Sequence, residues 1–211
     1  MNNTSYQKKT GILGGTFNPI HTGHLMLAQN ALEYCGLDEV LMMPSGCSYF
    51  KDQSTVASAQ DRINMTVLAI EGNDNLVIST IETERSGNSY TYETLDILCE
   101  RDSSCRYHYI IGADTLFSME TWKNPADIFA KCTVVCAKRD GYSDDKLEVQ
   151  KKRLEDMYGA DIILMDIPEV PISSSMIRKL LADGMSCRYY IPDKVLDYIR
   201  EKGLYGIDSH R

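Results

Sequence analysis

The chain contains no apolar run approaching the roughly 18–20 residues that a membrane span requires, which argues against a transmembrane helix. Residues 1–10 are polar and carry Lys8 and Lys9 without an apolar stretch, so no secretory signal is expected. No CxxC pair occurs, and the seven cysteines (Cys35, Cys47, Cys99, Cys105, Cys132, Cys136 and Cys187) are odd in number. Free thiols in a cytoplasmic protein are therefore expected rather than a disulfide framework. The absence of HExxH, a Walker A loop and GxGxxG leaves a zinc protease, a P-loop ATPase and a dinucleotide-dependent dehydrogenase unsupported. There is no internal repeat or low-complexity tract. Basic residues are in deficit, 22 Lys+Arg against 30 Asp+Glu, for a net charge of −8. That balance argues against a nucleic-acid groove.

A chain of 211 residues suits one domain, with hydrophobic and charged shares of 43% and 25% typical of a globular protein. Short apolar runs alternate with helical spacings. Strands are expected at 11–13, 39–43, 76–81, 107–111, 133–137 and 162–165. Helices are expected at 24–35, 90–100, 125–131, 147–158, 174–182 and 194–202. Ser58-x-x-Asp61 resembles a capping box opening a further helix, with Ile63, Val67, Leu68 and Ile70 as its apolar positions. The alternation implies an α/β, Rossmann-like doubly wound parallel sheet with helices on both faces. A small C-terminal helical segment of about 172–206 completes a single domain, 1–211. Ligands of such sheets bind outside the carboxyl ends of the strands. The polar stretch 44–57 is a candidate mobile loop. Cys132 and Cys136 read as small apolar residues of a buried strand.

The first strand runs into Gly14-Gly15-Thr16-Phe17-Asn18-Pro19-Ile20-His21-Thr22-Gly23-His24-Leu25. Glycines let the backbone approach a bulky anion. His21 and His24 are three apart at a helix start, so both imidazoles can face one side. The helix N-terminus favours phosphate, and two imidazoles there can donate hydrogen bonds as charge builds on a phosphoryl group. Two of only four histidines lie in this segment. A zinc reading of His-x-x-His is weaker, because no nearby Cys or carboxylate completes a ligand set.

Ile172-Ser173-Ser174-Ser175-Met176-Ile177-Arg178 opens a later helix. Serines at an N-cap supply hydroxyls, and Arg178, one turn on, can offer a guanidinium fork to the same anion. A plain helix cap with a surface arginine is the alternative. Ser89-Tyr90-Thr91 equally reads as a helix start, Asp114 as a cap, Trp122 as a core ring, and Lys138 with Arg139 as a solvated turn.

Residues 14–25 and 172–178 together resemble the nucleotidyltransferase superfamily with the (H/T)xGH motif. The closer resemblance is to its nicotinate-nucleotide adenylyltransferase family. Ser89-Tyr90-Thr91 with Thr94 is similar to that family's SYT segment. Ile110-Ile111-Gly112-Ala113-Asp114 followed by Trp122 is similar to its IIGAD segment. Lys138-Arg139-x-Gly141-Tyr142 resembles its RPGY turn, and Tyr190-Ile191-Pro192-Asp193 through Gly203-Leu204-Tyr205 its C-terminal helix.

The resemblance implies transfer of AMP from ATP to nicotinate mononucleotide, releasing pyrophosphate, with Mg²⁺ carried by the ATP phosphates rather than held by a protein metal site. It implies catalytic roles for His21, His24 and Arg178. ATP would be bound by Gly14, Gly15, Thr16, Phe17, Gly23, Gly112, Asp114, Ser173 and Ser174. Nicotinate mononucleotide would be bound by Lys51, Ser89, Tyr90, Thr91 and Trp122. The implied partners are these small molecules, without nucleic acid or membrane, and both a monomer and a homodimer stay open. The family's usual Asp is Asn18 here, its PPHK loop reads Ser48-Tyr49-Phe50-Lys51, and two prolines are replaced by Asn88 and Asp140. A relative acting on nicotinamide mononucleotide, or on another small phosphate or alcohol, is the rival enzyme. A non-catalytic nucleotide-binding module is the rival of another class.

Overall fold

The computed structural model describes residues 7–46, 56–138, 143–168 and 170–207. Six strands, β1 (Lys9–Gly15), β2 (Glu39–Pro44), β3 (Leu76–Ile78), β4 (Arg106–Gly112), β5 (Cys132–Ala137) and β6 (Asp161–Met165), form one all-parallel sheet in the order β3-β2-β1-β4-β5-β6. This is the strand order of the doubly wound nucleotide-binding folds. The alternating helices are α1 (Thr22–Tyr34), α2 (Ala59–Ile70), α3 (Thr91–Arg101), α4 (Ala113–Ser118), α5 (Pro125–Lys131), α6 (Asp144–Tyr158), α7 (Ser174–Ala182) and α8 (Asp193–Glu201). Strand β5, Cys-Thr-Val-Val-Cys-Ala, is buried at every position, as a strand covered on both faces must be. Burial pushes the Cys132 thiol up to about 12, which makes it an inert packing residue. All six described cysteines are free thiols.

The chain divides into two compact units that interleave along the sequence. The first comprises Met1–Leu13, Asn30–Leu41 and Tyr90–Glu169. Its core includes Ile12, Val40, Leu95, Ile110, Leu116, Ile128, Val134 and Leu147, all at most 2% exposed. Burying each such side chain contributes roughly 1.5–3 kcal/mol. The second comprises Gly14–Gln29, Met42–Ser89 and Val170–Arg211, and its core includes Phe17, Ile20, Met42, Met65, Ile177, Val195 and Ile199. In that unit α2 packs on α8. Tyr198 of α8 donates to Asp61 at 2.8 Å and accepts from Asn64 at 2.9 Å.

Helices α5 and α7 have the expected bounds, and Ser58 caps α2 as expected, its Oγ accepting from the Asp61 amide at 3.1 Å and donating to the Asp61 carboxylate at 2.6 Å. Strand β3 ends at Ile78 rather than 81. Helix α4, followed by a 3-10 turn at Met119–Thr121, was not expected, being too short to show a periodic signal. The face of α2 also differs. Its buried residues are Arg62, Met65 and Thr66, while Val67 is 44% exposed. A charged residue on the inward stripe conceals the period on which the expectation rested.

Candidate active site

In the second unit, the segment between β1 and α1 is shaped by close approaches. A Cβ on Gly15 would lie 2.8 Å from the Phe17 ring, and one on Gly23 would lie 3.1 Å from Nδ1 of His21. Phe17 is buried with φ of +46°, a conformation that non-glycine residues rarely adopt, and its ring meets His24 edge-on at 4.9 Å. The imidazoles of His21 and His24 stack, centroids 3.6 Å apart and planes 24° from parallel. The His21 amide donates to Nδ1 of His24 at 3.3 Å, the return bond of a capping box made by an imidazole. With Nδ1 accepting, the neutral His24 ring carries its proton on Nε2. The head of α1 is not simply a row of open amides, because the Thr22 amide donates to the Tyr190 carbonyl at 2.9 Å.

The carbonyls of the same segment are tied from several directions. Arg178 of α7 donates to the Asn18 carbonyl at 2.8 Å and to Ser175 Oγ at 3.2 Å. Ser174 Oγ donates to the Pro19 carbonyl at 2.8 Å, and Ser173 Oγ caps α7 by accepting from the Met176 amide. Asn18 is 4% exposed. Its Oδ1 accepts from the Ala57 amide at 3.0 Å and from the Tyr205 hydroxyl at 2.7 Å, and burial pushes that hydroxyl's pKa up. The two expected motifs, His21 with His24 and Ser173–Ser174 with Arg178, are thus brought together in one unit.

The first unit holds the other group. Thr91 opens α3 with Tyr90 as its N-cap. Thr91 Oγ1 lies 3.5 Å from the hydroxyl of Tyr109, whose ring meets Trp122 edge-on at 6.0 Å. Trp122 is half-buried rather than a core ring. Lys123 Nζ stands 4.3 Å over the ring of Tyr90 and 5.7 Å over that of Tyr92, within cation–π range. Gly112 is the N-cap of α4 and Asp114 sits exposed in its first turn. Ser89 belongs to the second unit, where its hydroxyl donates to the Glu82 carbonyl at 3.3 Å. Lys51 and the whole Ser48–Lys51 segment lie outside the described residues, as do Arg139, Asp140, Gly141 and Tyr142.

Residues 12–180 match the Cytidylyltransferase-like family. Relatives named "Probable nicotinate-nucleotide adenylyltransferase" align over nearly their full length. That of Lachnoclostridium phytofermentans is 38% identical over 94% of this chain and 99% of its own. That of Halalkalibacterium halodurans is 40% identical over 97% and 94%. The chain belongs to the nicotinate-nucleotide adenylyltransferase family. Its fold is similar to that of the Plasmodium falciparum nicotinic acid mononucleotide adenylyltransferase complexed with NaAD, with a TM-score of 0.80 at 20% identity over 96% of this chain and 100% of that one.

Within this nicotinate-nucleotide adenylyltransferase family chain, Asn18 keeps the acceptor that the half-buried Ala57 amide and Tyr205 hydroxyl share, so its departure from Asp leaves the loop held. Tyr109, Lys123 and Arg62 escaped sequence reasoning, and Tyr205 was read only as part of the C-terminal segment. Tyr109 was absorbed in a strand and Lys123 stood as one more surface lysine. Tyr205 meets Asn18 across 187 residues of sequence. Arg62 had a faint signal, a charge three and four positions before Met65 and Thr66 on the inward face of α2. Among the described residues no group of three or more His, Cys, Asp or Glu is gathered to hold a metal ion. No helix among them is long and apolar enough to cross a membrane.

Proposed function

We propose that this chain transfers the AMP moiety of ATP to nicotinate mononucleotide in the biosynthesis of NAD, giving nicotinate adenine dinucleotide and pyrophosphate. The observation that carries this reading is the stacked His21–His24 pair, held at the head of α1 by the bond from the His21 amide to Nδ1 of His24. A phosphate oxygen of the mononucleotide attacks the α-phosphorus of ATP in line. The new P–O bond forms as the bond to the β-phosphate oxygen breaks, and that oxygen leaves with pyrophosphate. No covalent enzyme intermediate is required, so catalysis consists of positioning and charge stabilisation.

His24 donates to a phosphoryl oxygen as charge develops, and His21 supports its ring from below. Gly14, Gly15, Thr16, Phe17 and Gly23 give the triphosphate a close backbone approach. Arg178 has five N–H donors, so bonds to Asn18 and Ser175 leave others for the β- and γ-phosphates, alongside Ser173 and Ser174. Gly112 and Asp114 hold the adenosine ribose. Thr91 and Tyr90 at the head of α3, with Ser89 and Lys51, take the mononucleotide, and Trp122 stacks on its pyridine ring. Nucleotidyltransferases generally use a divalent metal. Here it is Mg²⁺ arriving with the triphosphate, where it neutralises phosphate charge. The reaction is placed in the cytoplasm.

The test is pyrophosphate release from ATP and Mg²⁺ with either mononucleotide. Release with nicotinate mononucleotide, and much slower release with nicotinamide mononucleotide, is expected. Silence with the first and fast turnover of the second would reassign the substrate. Tight ATP binding with no turnover of either would make the chain a binding module.

A further inference from the structure

Arg62 is a cation in α2 only 4% exposed. Burying a guanidinium is costly unless its donors are matched. Its Nη1 donates to the Thr16 carbonyl at 3.0 Å and to the Ser45 carbonyl at 2.7 Å, and its Nε donates to the Ala57 carbonyl at 3.2 Å. Those carbonyls come from three separate segments of the second unit: the loop after β1, the residue after β2, and the residue before the N-cap of α2. Ser45 is itself joined to the first loop, its amide donating to the Gly15 carbonyl at 2.8 Å.

A trans peptide is planar, with its N–H opposed to its C=O. Pinning the Thr16 carbonyl toward Arg62 therefore turns the Phe17 amide to the opposite side. Pinning the Ser45 carbonyl does the same for the Gly46 amide. We propose that Arg62 is a positioning residue that sets the peptide orientation of the phosphate loop, presenting its amides to the triphosphate while keeping a permanent positive charge behind the loop. This rests on the adenylyl-transfer reading above. The fork geometry explains why arginine is used. Three acceptors in different directions match a rigid planar guanidinium, whereas a lysine ammonium is a point charge on a flexible stem. A brace for α2 alone would need none of the bonds to Thr16 and Ser45, since the Ser58 N-cap already secures the helix start.

The experiment compares R62K and R62A with the parent by thermal unfolding, pyrophosphate release, calorimetric titration with Mg²⁺ and α,β-methylene-ATP, and quenching of Trp122 by nicotinate mononucleotide. R62K is expected to fold and to quench like the parent, yet to lose about 10²-fold in turnover, the cost of a misplacement near 1 Å, with weaker analogue binding. Added guanidinium is expected to restore part of the turnover of R62A. R62K turnover and analogue affinity within twofold of the parent would overturn the proposal, as would a loss fully explained by the unfolded fraction. If the parent binds the analogue but releases no pyrophosphate, the functional reading fails, and the analogue titration of R62K still decides the role of Arg62.

Discussion

The loop at residues 14–24 and the ring cluster at residues 90–123 are built on opposite plans. In the first, Thr16, Asn18 and Pro19 each have a carbonyl held by a named donor, and the two imidazoles are held by a backbone bond and by the close approach of Gly23, where a Cβ would lie a tight 3.1 Å from the His21 ring. In the second, Tyr90, Tyr109, Trp122 and Lys123 meet through ring edges and faces at 4.3–6.0 Å, and the Thr91 hydroxyl lies a long 3.5 Å from that of Tyr109. Under the proposed function, the difference follows from what each task demands. Stabilising charge on a reacting phosphoryl group requires donors whose positions are settled beforehand. Receiving a flat ring requires apolar faces that a ligand can complete.

That contrast can be broken or sharpened by substitution. His24→Ala removes the fixed donor, and turnover is expected to fall by about 10²–10³, measured as pyrophosphate release. Trp122→Ala removes a stacking face worth ~1–3 kcal/mol. The KM for nicotinate mononucleotide is expected to rise about tenfold or more while kcat at saturation stays close to the parent. A kcat loss matching that of His24→Ala would erase the distinction between the two regions.

Asn18→Ala leaves the Ala57 amide and the half-buried Tyr205 hydroxyl without their shared acceptor. Destabilisation of about 1–3 kcal/mol should lower the melting temperature by several degrees, whereas Asn18→Asp, which keeps the acceptor, should fall much less. The smallest effect belongs to a control remote from both regions in sequence. The hydrogen bond from Thr133 and the Arg106 guanidinium hold the Asp161 carboxyl below its ordinary range. A depressed carboxylate adds stability above its unfolded pKa, and that stability is lost as pH falls through the folded value. Asp161→Asn should therefore melt slightly below the parent at neutral pH, with the gap closing below about pH 4, and turnover should not change. A gap that widens in acid would contradict the sign.

The two regions also differ in how far they could be read from the sequence. Gly14, Gly15, His21, Gly23 and His24 are contiguous, and the demands of a close turn and a helix head are local, so the segment announced itself. Arg178 and Ser174 were legible as a second helix start. Their actual bonds, to the carbonyls of Asn18 and Pro19, join residues 160 and 155 apart and follow from tertiary packing alone. Sheet and helix alternation was legible for the same local reason. The six-residue α4, and the inward face of α2 disguised by Arg62, carried no usable period. The ring cluster was half legible. Trp122 stands out as the only tryptophan, but nothing local says that Tyr109 meets its edge or that Lys123 leans over Tyr90.

The central claim is that donors fixed in one region perform the transfer while rings in the other receive the pyridine. Its most direct test is a fluorescence titration of His24→Ala with nicotinate mononucleotide, using Trp122 as the sole tryptophan. The account predicts quenching with the parent's midpoint in a variant whose turnover is nearly abolished. A midpoint weakened in proportion to the lost turnover would contradict it.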